Sequence, residues 1–238
     1  MELSKCFWVP ITWKWKQGIP SLVVKQSRLK GVIIKESESK EYLTIPRKSG
    51  KDTEKRLGVW NSCDGVWHVE SANWNEYSAS FGKKVRLAGL GRKAGRLAYH
   101  SMWLAKFRFS APVIGFTVTQ VGKVQKAILS PCLAAAGYCS KMPHAVVHGP
   151  EKWGGMDWDH CGIMLLYEKL KLLIGSIRLQ DKVGSILVLQ LSWLQLFAGS
   201  STPILQSSIV IPYLPRGWVA TVHHHLVHYG VQVEISGV

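Results

Sequence analysis

The hydrophobic pattern of this 238-residue chain changes its period once, near residue 69. Before that point, short segments rich in Trp, Val, Ile and Thr alternate with turn residues, which is typical of antiparallel strands joined by tight turns. After it, apolar residues recur every three or four positions, as they do on one face of an α-helix. The sequence therefore predicts an α+β fold, with short antiparallel strands at the N-terminus followed by a mainly α-helical region.

Three regions follow from this pattern and from the charge. Residues 1–69 form the strand region, in which Leu57-Gly58-Val59-Trp60 is a predicted strand that enters a tight hairpin at Asp64-Gly65. Residues 70–140 carry basic helices, and residues 141–238 carry apolar helices. With 47% apolar residues, the chain has enough hydrophobic side chains for a sizeable core.

Positive charge is concentrated in the first 150 residues. That segment holds 24 Lys and Arg against 9 Asp and Glu, whereas the last 88 residues hold six of each sign. Contacts of Lys and Arg with phosphates supply most of the sequence-independent affinity of proteins for nucleic acids. Nucleic acid is therefore the first partner to expect.

One predicted helix, over residues 91–107, combines this charge with aromatic rings. At 100° per residue, its apolar face carries Leu90, Ala94, Leu97, Ala98, Met102, Leu104 and Ala105. The opposite face carries Arg92, Arg96, Tyr99, Trp103 and Lys106. In a nucleic-acid interface, the cations of that face would contact phosphates and its rings would stack on bases. The alternative is a solvated helix face whose rings pack on a neighbour. With the nearby cluster Lys83, Lys84, Arg86, Arg92 and Lys93 taken into account, the sequence leaves both interpretations open.

The histidines and cysteines form two incomplete zinc patterns. His224 and His228 have the i, i+4 spacing of two ligands on a helix, but His225 stands where a metalloprotease motif has Glu. The set Cys132, Cys139, His144 and His148 gives C-x6-C-x4-H-x3-H, whereas a zinc knuckle needs its first two cysteines only two residues apart. We expect no metal and no other cofactor, with an enzyme built on a zinc centre as an alternative.

Other catalytic signatures are missing from the sequence, which contains no nucleophile elbow and no phosphate-binding loop. Asp157 and Asp159 have no third carboxylate nearby and are expected to be a solvated loop pair.

The first residues lack the pattern of a secretory signal, and five scattered cysteines are typical of a reducing compartment. We expect an intracellular protein, cytoplasmic or nuclear, with no membrane partner, because the longest apolar run, residues 183–199, is too short and too polar to span a bilayer.

Several short motifs occur in a characteristic order. They are Lys5-Cys6-Phe7-Trp8, Leu57-Gly58-Val59-Trp60 with the basic helices after it, residues 141–150 with Gly154-Gly155, residues 194–199, and residues 213–218. In this order they resemble the C-terminal part of reverse transcriptases of non-LTR retrotransposons. There the Leu-Gly-Val strand closes the palm beside the primer end, and the following helices form a thumb that grips the template-primer duplex.

The resemblance implies a remnant of the palm at 1–69, thumb-like helices at 70–140 and post-thumb helices at 141–238. The intact family enzyme uses Mg²⁺ held by an early Asp and an adjacent Asp pair, and this sequence contains no Asp-Asp. The resemblance therefore implies no catalytic residue in this chain. The partners that it implies are RNA, an RNA–DNA duplex or the missing upstream polymerase region. The implied contacts are Lys5, Lys83, Lys84, Arg86, Arg92, Lys93, Arg96, Tyr99, Trp103 and Lys106. The alternatives are a degenerate open reading frame and a small interaction protein without catalytic activity.

Overall fold

A computed structural model describes residue 9 and residues 12–16, 19–23, 31–35, 42–46, 48–49, 51–56, 58–215 and 217–235. The chain divides into two units, residues 1–67 and residues 68–238. The first contains strands and the second contains helices, which confirms the predicted α+β fold. The first helix begins at His68, next to the position where the hydrophobic period changes.

The first unit consists, in its described part, of three separate antiparallel hairpins. Strands β1 (Thr12–Lys16) and β2 (Ile19–Val23), β3 (Gly31–Lys35) and β4 (Tyr42–Pro46), and β5 (Thr53–Arg56) and β6 (Val59–Ser62) are paired. Each strand thus pairs with its neighbour in sequence.

The tight hairpin lies one strand earlier than the sequence indicated. Arg56 pairs with Val59 across the connection, and Gly58 takes a φ of +87°, a conformation that glycine adopts at no steric cost. Asp64 instead forms a turn after β6, in which its Oδ1 accepts the amide of Val66 at 3.1 Å. That turn leads into the first helix, so the prediction of a hairpin at Asp64-Gly65 is wrong.

The second unit is helical. Its described residues form α1 (His68–Leu87), α2 (Arg92–Leu97), α3 (Ala105–Ser110), α4 (Val118–Ala135), α5 (His144–His148), α6 (Cys161–Leu179), α7 (Lys182–Ala198) and α8 (Trp218–Tyr229). A π-helical segment, Ala98–Leu104, joins α2 to α3 without a break, and a short 3-10 turn, Glu151–Trp153, lies between α5 and α6. None of these helices combines the length and the apolar character that crossing a bilayer requires.

Side-chain caps mark where the long helices begin. Thr117 and Gln120 form a capping box at the start of α4, in which each side chain accepts the other residue's backbone N–H. Asp181 accepts the amide of Gly184 at the start of α7. His160 accepts the amides of the first turn of α6, which places a histidine at a position where Ser, Thr, Asp and Asn are usual.

Two packed regions form the core of this unit. In one, α1 packs along α4, and Trp74 of α1 contacts the buried rings of Trp103 and Phe107 on the α2–α3 helix. In the other, leucines of α6, α7 and α8 pack together, including Leu173, Leu191 and Leu226. Helix α6 contacts both α4 and α7 and so belongs to both regions.

Candidate nucleic-acid interface and histidine cluster

The inner face of the continuous helix from Arg92 to Ser110 differs in part from the predicted one: Ala98 and Leu104 are buried as expected, but the other large buried side chains are aromatic rings. Tyr99 and Trp103 are completely buried, whereas Leu97 and Met102 are 64% and 60% exposed. The prediction that both rings lie on an outer face is therefore wrong. In this structure neither ring is available to a nucleobase.

The size of the rings and the width of the π-helical turn explain the difference. Tyr99, Trp103 and Phe107 stack in a row, with ring centroids 5.6 and 5.4 Å apart, and Trp74 packs edge-on against the last two. Aromatic rings bury more area than Leu, Met or Ala. The π-helical segment, with its i→i+5 hydrogen bonds, has more residues per turn than an α-helix, so its side chains do not keep the directions that a wheel at 100° per residue gives them.

Hydrogen bonds fix both buried rings. Trp103 Nε1 donates to Ser78 Oγ at 3.0 Å, and the hydroxyl of Tyr99 donates to the Asp159 carbonyl at 2.8 Å. Both polar atoms are thus satisfied inside the core, as buried Tyr and Trp require. Burial raises the pKa of Tyr99 well above its usual value, so the hydroxyl stays a donor.

Free positive charge is concentrated where α1 ends and α2 begins. Lys83, Lys84, Arg86 and Lys93 are all exposed, and none of them belongs to an ion pair among the described residues. We call these four residues the basic turn. They lie in a stretch, residues 77–150, that contains eleven Lys and Arg and no Asp or Glu.

Helix α4 adds two exposed cations, Lys123 and Lys126, that the sequence analysis missed. A Cβ built on Gly82 of α1 would lie 2.9 Å from the Pro131 Cβ and 3.4 Å from the Ala127 carbonyl oxygen, so α4 lies directly against α1 here. Lys126 precedes Ala127 and therefore starts close to the basic end of α1. The acid-free stretch is the sequence signal that could have identified both lysines.

Three of the other predicted contacts are engaged within the protein. Arg92 lies over the ring of Tyr138 at 5.0 Å, and Lys106 lies over the ring of Tyr77 at 3.6 Å. Arg96 pairs with Glu151 at 2.7 Å. Lys5 lies outside the described residues.

Arg96 has a structural role in the loop between α5 and α6. Besides Glu151, its guanidinium donates to the Asp157 carbonyl at 2.8 Å and to the Asp157 carboxylate at 3.3 Å. His100 contacts the carboxylate of Asp159 at 3.1 Å. Each carboxylate of the expected solvated pair is therefore exposed but has a partner on the α2–α3 helix.

Three histidines come together beside that loop. His144 and His148 lie one turn apart on α5, His160 precedes α6, and one ring nitrogen of each lies within 4.8 Å of one of each of the others. The set does not include Cys132, which is fully buried in α4 with a thiol pKa raised to about 12 by burial. Among the described residues, the geometry thus joins His144 and His148 to His160 and not to the cysteines of the C-x6-C-x4-H-x3-H pattern.

His160 is held as a neutral imidazole that accepts hydrogen bonds. Its Nδ1 accepts the amides of Gly162 at 3.2 Å and Ile163 at 3.3 Å. Burial, and then the neighbouring His148 and His144, lower its pKa from 6.5 to about 4. Because a protonated Nδ1 could not accept these amides, the cap requires the neutral ring.

His148 belongs to a chain of hydrogen bonds that enters the core. Its Nδ1–H donates to the Trp158 carbonyl at 2.7 Å, which leaves Nε2 to accept the amide N–H of Gln125 at 2.9 Å. The Gln125 oxygen in turn accepts the thiol of Cys161 at 3.2 Å. Burial lowers the pKa of His148 and raises that of the Cys161 thiol well above its usual range, so Cys161 is a structural donor and not a nucleophile.

Two histidines of α8 also form hydrogen bonds inside the core. His223 contacts the Ile204 carbonyl at 3.0 Å, and His225 Nε2 donates to the Phe116 carbonyl at 2.8 Å. Both rings are completely buried, whereas His228 is exposed. His224 and His228 do not join any group of three metal-ligating side chains in the described part of the chain.

No family model, no curated protein and no solved structure matches this chain.

Proposed function

We propose that the helical unit binds the backbone phosphates of RNA or of an RNA–DNA duplex, as the thumb-side part of a reverse transcriptase of the non-LTR type. The observation that carries the proposal is the basic turn. Exposed cations without carboxylate partners can neutralise phosphates without first breaking an ion pair. The turn lies in an acid-free stretch of 74 residues, 77–150, so no acidic side chain of that stretch opposes a polyanion.

The order of elements supports the family part of the proposal. Strand β6 begins at Val59, inside the Leu-Gly-Val-Trp motif, and the basic helices follow it directly from His68. A thumb-like role requires helices that present cations to a duplex. It does not ask for catalytic carboxylates, and with no adjacent Asp pair in the sequence we assign no step of nucleotidyl transfer to this chain.

The proposed contact set differs from the one expected from sequence. It keeps Lys83, Lys84, Arg86 and Lys93 and gains Lys123 and Lys126. Arg92 and Lys106 lie over aromatic rings and are placed at its margin, while Arg96, Tyr99 and Trp103 are removed. Contacts between these cations and phosphates carry no sequence information, so the set favours sequence-independent binding to the backbone. An RNA partner would place the protein in the cytoplasm or the nucleus.

The salt dependence of binding tests this proposal. The affinity of the full chain for an RNA–DNA duplex is measured over a range of salt concentrations. The triple variant Lys83→Ala, Lys84→Ala, Arg86→Ala should reduce the slope of log affinity against log salt by roughly 2 to 3, at about 0.7 to 0.9 per phosphate contact. The matched control, Lys171→Ala, Arg178→Ala, Lys182→Ala, removes two Lys and one Arg from exposed positions of α6 and α7 and should leave the slope unchanged.

Equal slopes for the two triple variants would contradict the proposal, because the effect would then follow from net charge alone. No measurable binding by the wild-type chain at low salt would contradict it as well.

A second candidate function, association with another copy of this chain, is favoured by α7. Ile186, Leu189, Trp193 and Leu196 recur at helical spacing and are each at least half exposed. The variant Leu189→Glu should abolish such an association, which sedimentation of the full chain can measure. A chain that sediments as a monomer before and after the substitution would contradict self-association through α7.

A further inference from the structure

We propose that His144, His148 and His160 form a binding site for a divalent transition metal that prefers imidazole ligands, with Zn²⁺ as the expected ion. Their ring nitrogens already lie within 4.8 Å of one another. Zinc bonds of about 2.0 to 2.1 Å in a tetrahedral site place two nitrogens about 3.4 Å apart. The rings therefore need to approach by roughly 1.5 Å, which side-chain rotation can supply.

The sequence positions of the three residues suit such a site. His144 and His148 have the His-x3-His spacing that puts two ligands on one face of a helix, here α5. His144 is exposed, so its ring can turn, and the other two are each partly exposed to solvent. Three protein ligands leave a fourth position for water.

The surroundings of His148 define its metal-binding nitrogen. Zinc-binding histidines usually donate the other ring N–H to a carbonyl or carboxylate, which fixes the tautomer and the ring orientation. His148 already does so, because its Nδ1–H is bound to the Trp158 carbonyl. Nε2 carries the remaining lone pair. A metal bound there would displace the hydrogen bond that Nε2 accepts from the side-chain amide of Gln125.

At His160, metal binding and helix capping exclude each other. If Nδ1 binds the metal, its lone pair is lost to the amides of Gly162 and Ile163. If Nε2 binds the metal, the ring proton must move to Nδ1, which then no longer accepts. A metal at this site would therefore release the first turn of α6 from its cap.

Metal titration of the full chain tests the site. Co²⁺ is used as the probe for a zinc site, because imidazole coordination lacks the near-ultraviolet charge-transfer band that thiolate coordination by exposed Cys63 or Cys139 would give. We expect one bound ion per chain without that band. His144→Ala should weaken binding by more than about tenfold, since even the loss of an outer-shell partner costs about 10- to 100-fold.

His160→Asn is the second variant, because Asn is a good N-cap residue that keeps α6 capped while removing the imidazole. It should weaken Co²⁺ binding as much as His144→Ala does. The control is His68→Ala, which removes another exposed histidine, at the first position of α1, and it should bind as the wild type does.

The amides of Gly162 and Ile163 provide a readout that does not depend on affinity. Zn²⁺ should increase their hydrogen exchange in the wild type and leave it unchanged in His160→Asn. Binding that is unaffected by His144→Ala and His160→Asn, or that is lost in His68→Ala, would overturn the proposal. Binding with both amides still protected would overturn the assignment of His160 as a ligand.

Discussion

The guanidinium of Arg96 donates two hydrogen bonds to Asp157, which lies 61 residues further along the chain, one to the carbonyl at 2.8 Å and one to the carboxylate at 3.3 Å. Together with the pair between Arg96 and Glu151, they attach the loop after α5 to the helix that begins at Arg92. Arg96 therefore stabilises a loop although its position in the sequence suggested a phosphate contact.

Replacing Arg96 should affect folding and not nucleic-acid binding. Arg96→Ala should lower the free energy of unfolding by about 1 kcal/mol, since exposed ion pairs contribute up to about 1 kcal/mol and the carbonyl loses a donor. Arg96→Lys should recover little of it, because one ammonium group cannot serve the same fork of acceptors. Urea denaturation measures the first effect. A salt slope that falls by about 0.7 to 0.9 for Arg96→Ala, with stability unchanged, would restore the phosphate role.

The burial of Trp103 leads to a second prediction. Trp103→Phe keeps an aromatic ring but removes the donor to Ser78 and leaves a gap between Tyr99 and Phe107, so it should cost about 1 to 3 kcal/mol. Affinity for a single-stranded or duplex probe should stay unchanged under conditions where the variant is folded. Base stacking through Trp103 would give the opposite result, namely weaker binding with nearly unchanged stability.

The type of each element could be predicted from the sequence more easily than its orientation. Hydrophobic periods depend on local spacing, and they located the change from strands to helices next to His68. The inner face of the α2–α3 helix depends on competition between Met102 and Trp103 for the core and on a π-helical turn. Neither follows from a wheel drawn at 100° per residue, because that wheel assumes regular geometry and gives every apolar side chain similar weight.

The two candidate sites also differ in how far the sequence predicts them, because one depends on neighbouring residues and the other on tertiary contacts. Lys83, Lys84, Arg86 and Lys93 lie close together in sequence, and their exposure follows from charge alone. His160 is brought beside His148 by the loop between α5 and α6, and spacing patterns for zinc ligands instead joined His148 to Cys132. The approach of His160 to His148 depends on tertiary contacts that hold this loop, such as those of Arg96. A local sequence pattern does not contain such contacts.

Close packing of α6 against α7 gives a third prediction. A Cβ on the buried Gly184 would lie 2.1 Å from the Ser176 carbonyl oxygen, so Gly184→Ala must move the two helices apart. It should destabilise the protein by about 1 to 3 kcal/mol or more. A Cβ built on the exposed Gly122 of α4 would have no atom of the described residues within 4 Å, so Gly122→Ala should stabilise the protein by about 0.5 to 1 kcal/mol. Urea denaturation that gives the two variants the same sign would contradict this packing.

The last prediction concerns Lys169, whose side chain is completely buried in α6. Its ammonium lies 4.6 Å from the ring centroid of Trp218, and its Nζ has no hydrogen-bond partner in the described part of the chain. Burial lowers its pKa from 10.5 to about 7. The folded protein therefore binds this proton less tightly than the unfolded chain does.

The sign of the pH dependence follows from this difference. Between pH 7 and 10.5 the unfolded chain carries more of this proton, so the contribution of Lys169 to stability rises with pH, and below pH 7 its penalty is complete. Lys169→Met removes the penalty. The variant should exceed the wild type by a few kcal/mol near pH 6.5, at about 1.4 kcal/mol per pKa unit, and the advantage should shrink steadily toward pH 10.5. Lys171→Met, at an exposed neighbouring position, should show a difference that does not vary with pH. Urea denaturation across this range measures both, and a constant difference for Lys169→Met would mean that the buried amine keeps its ordinary pKa.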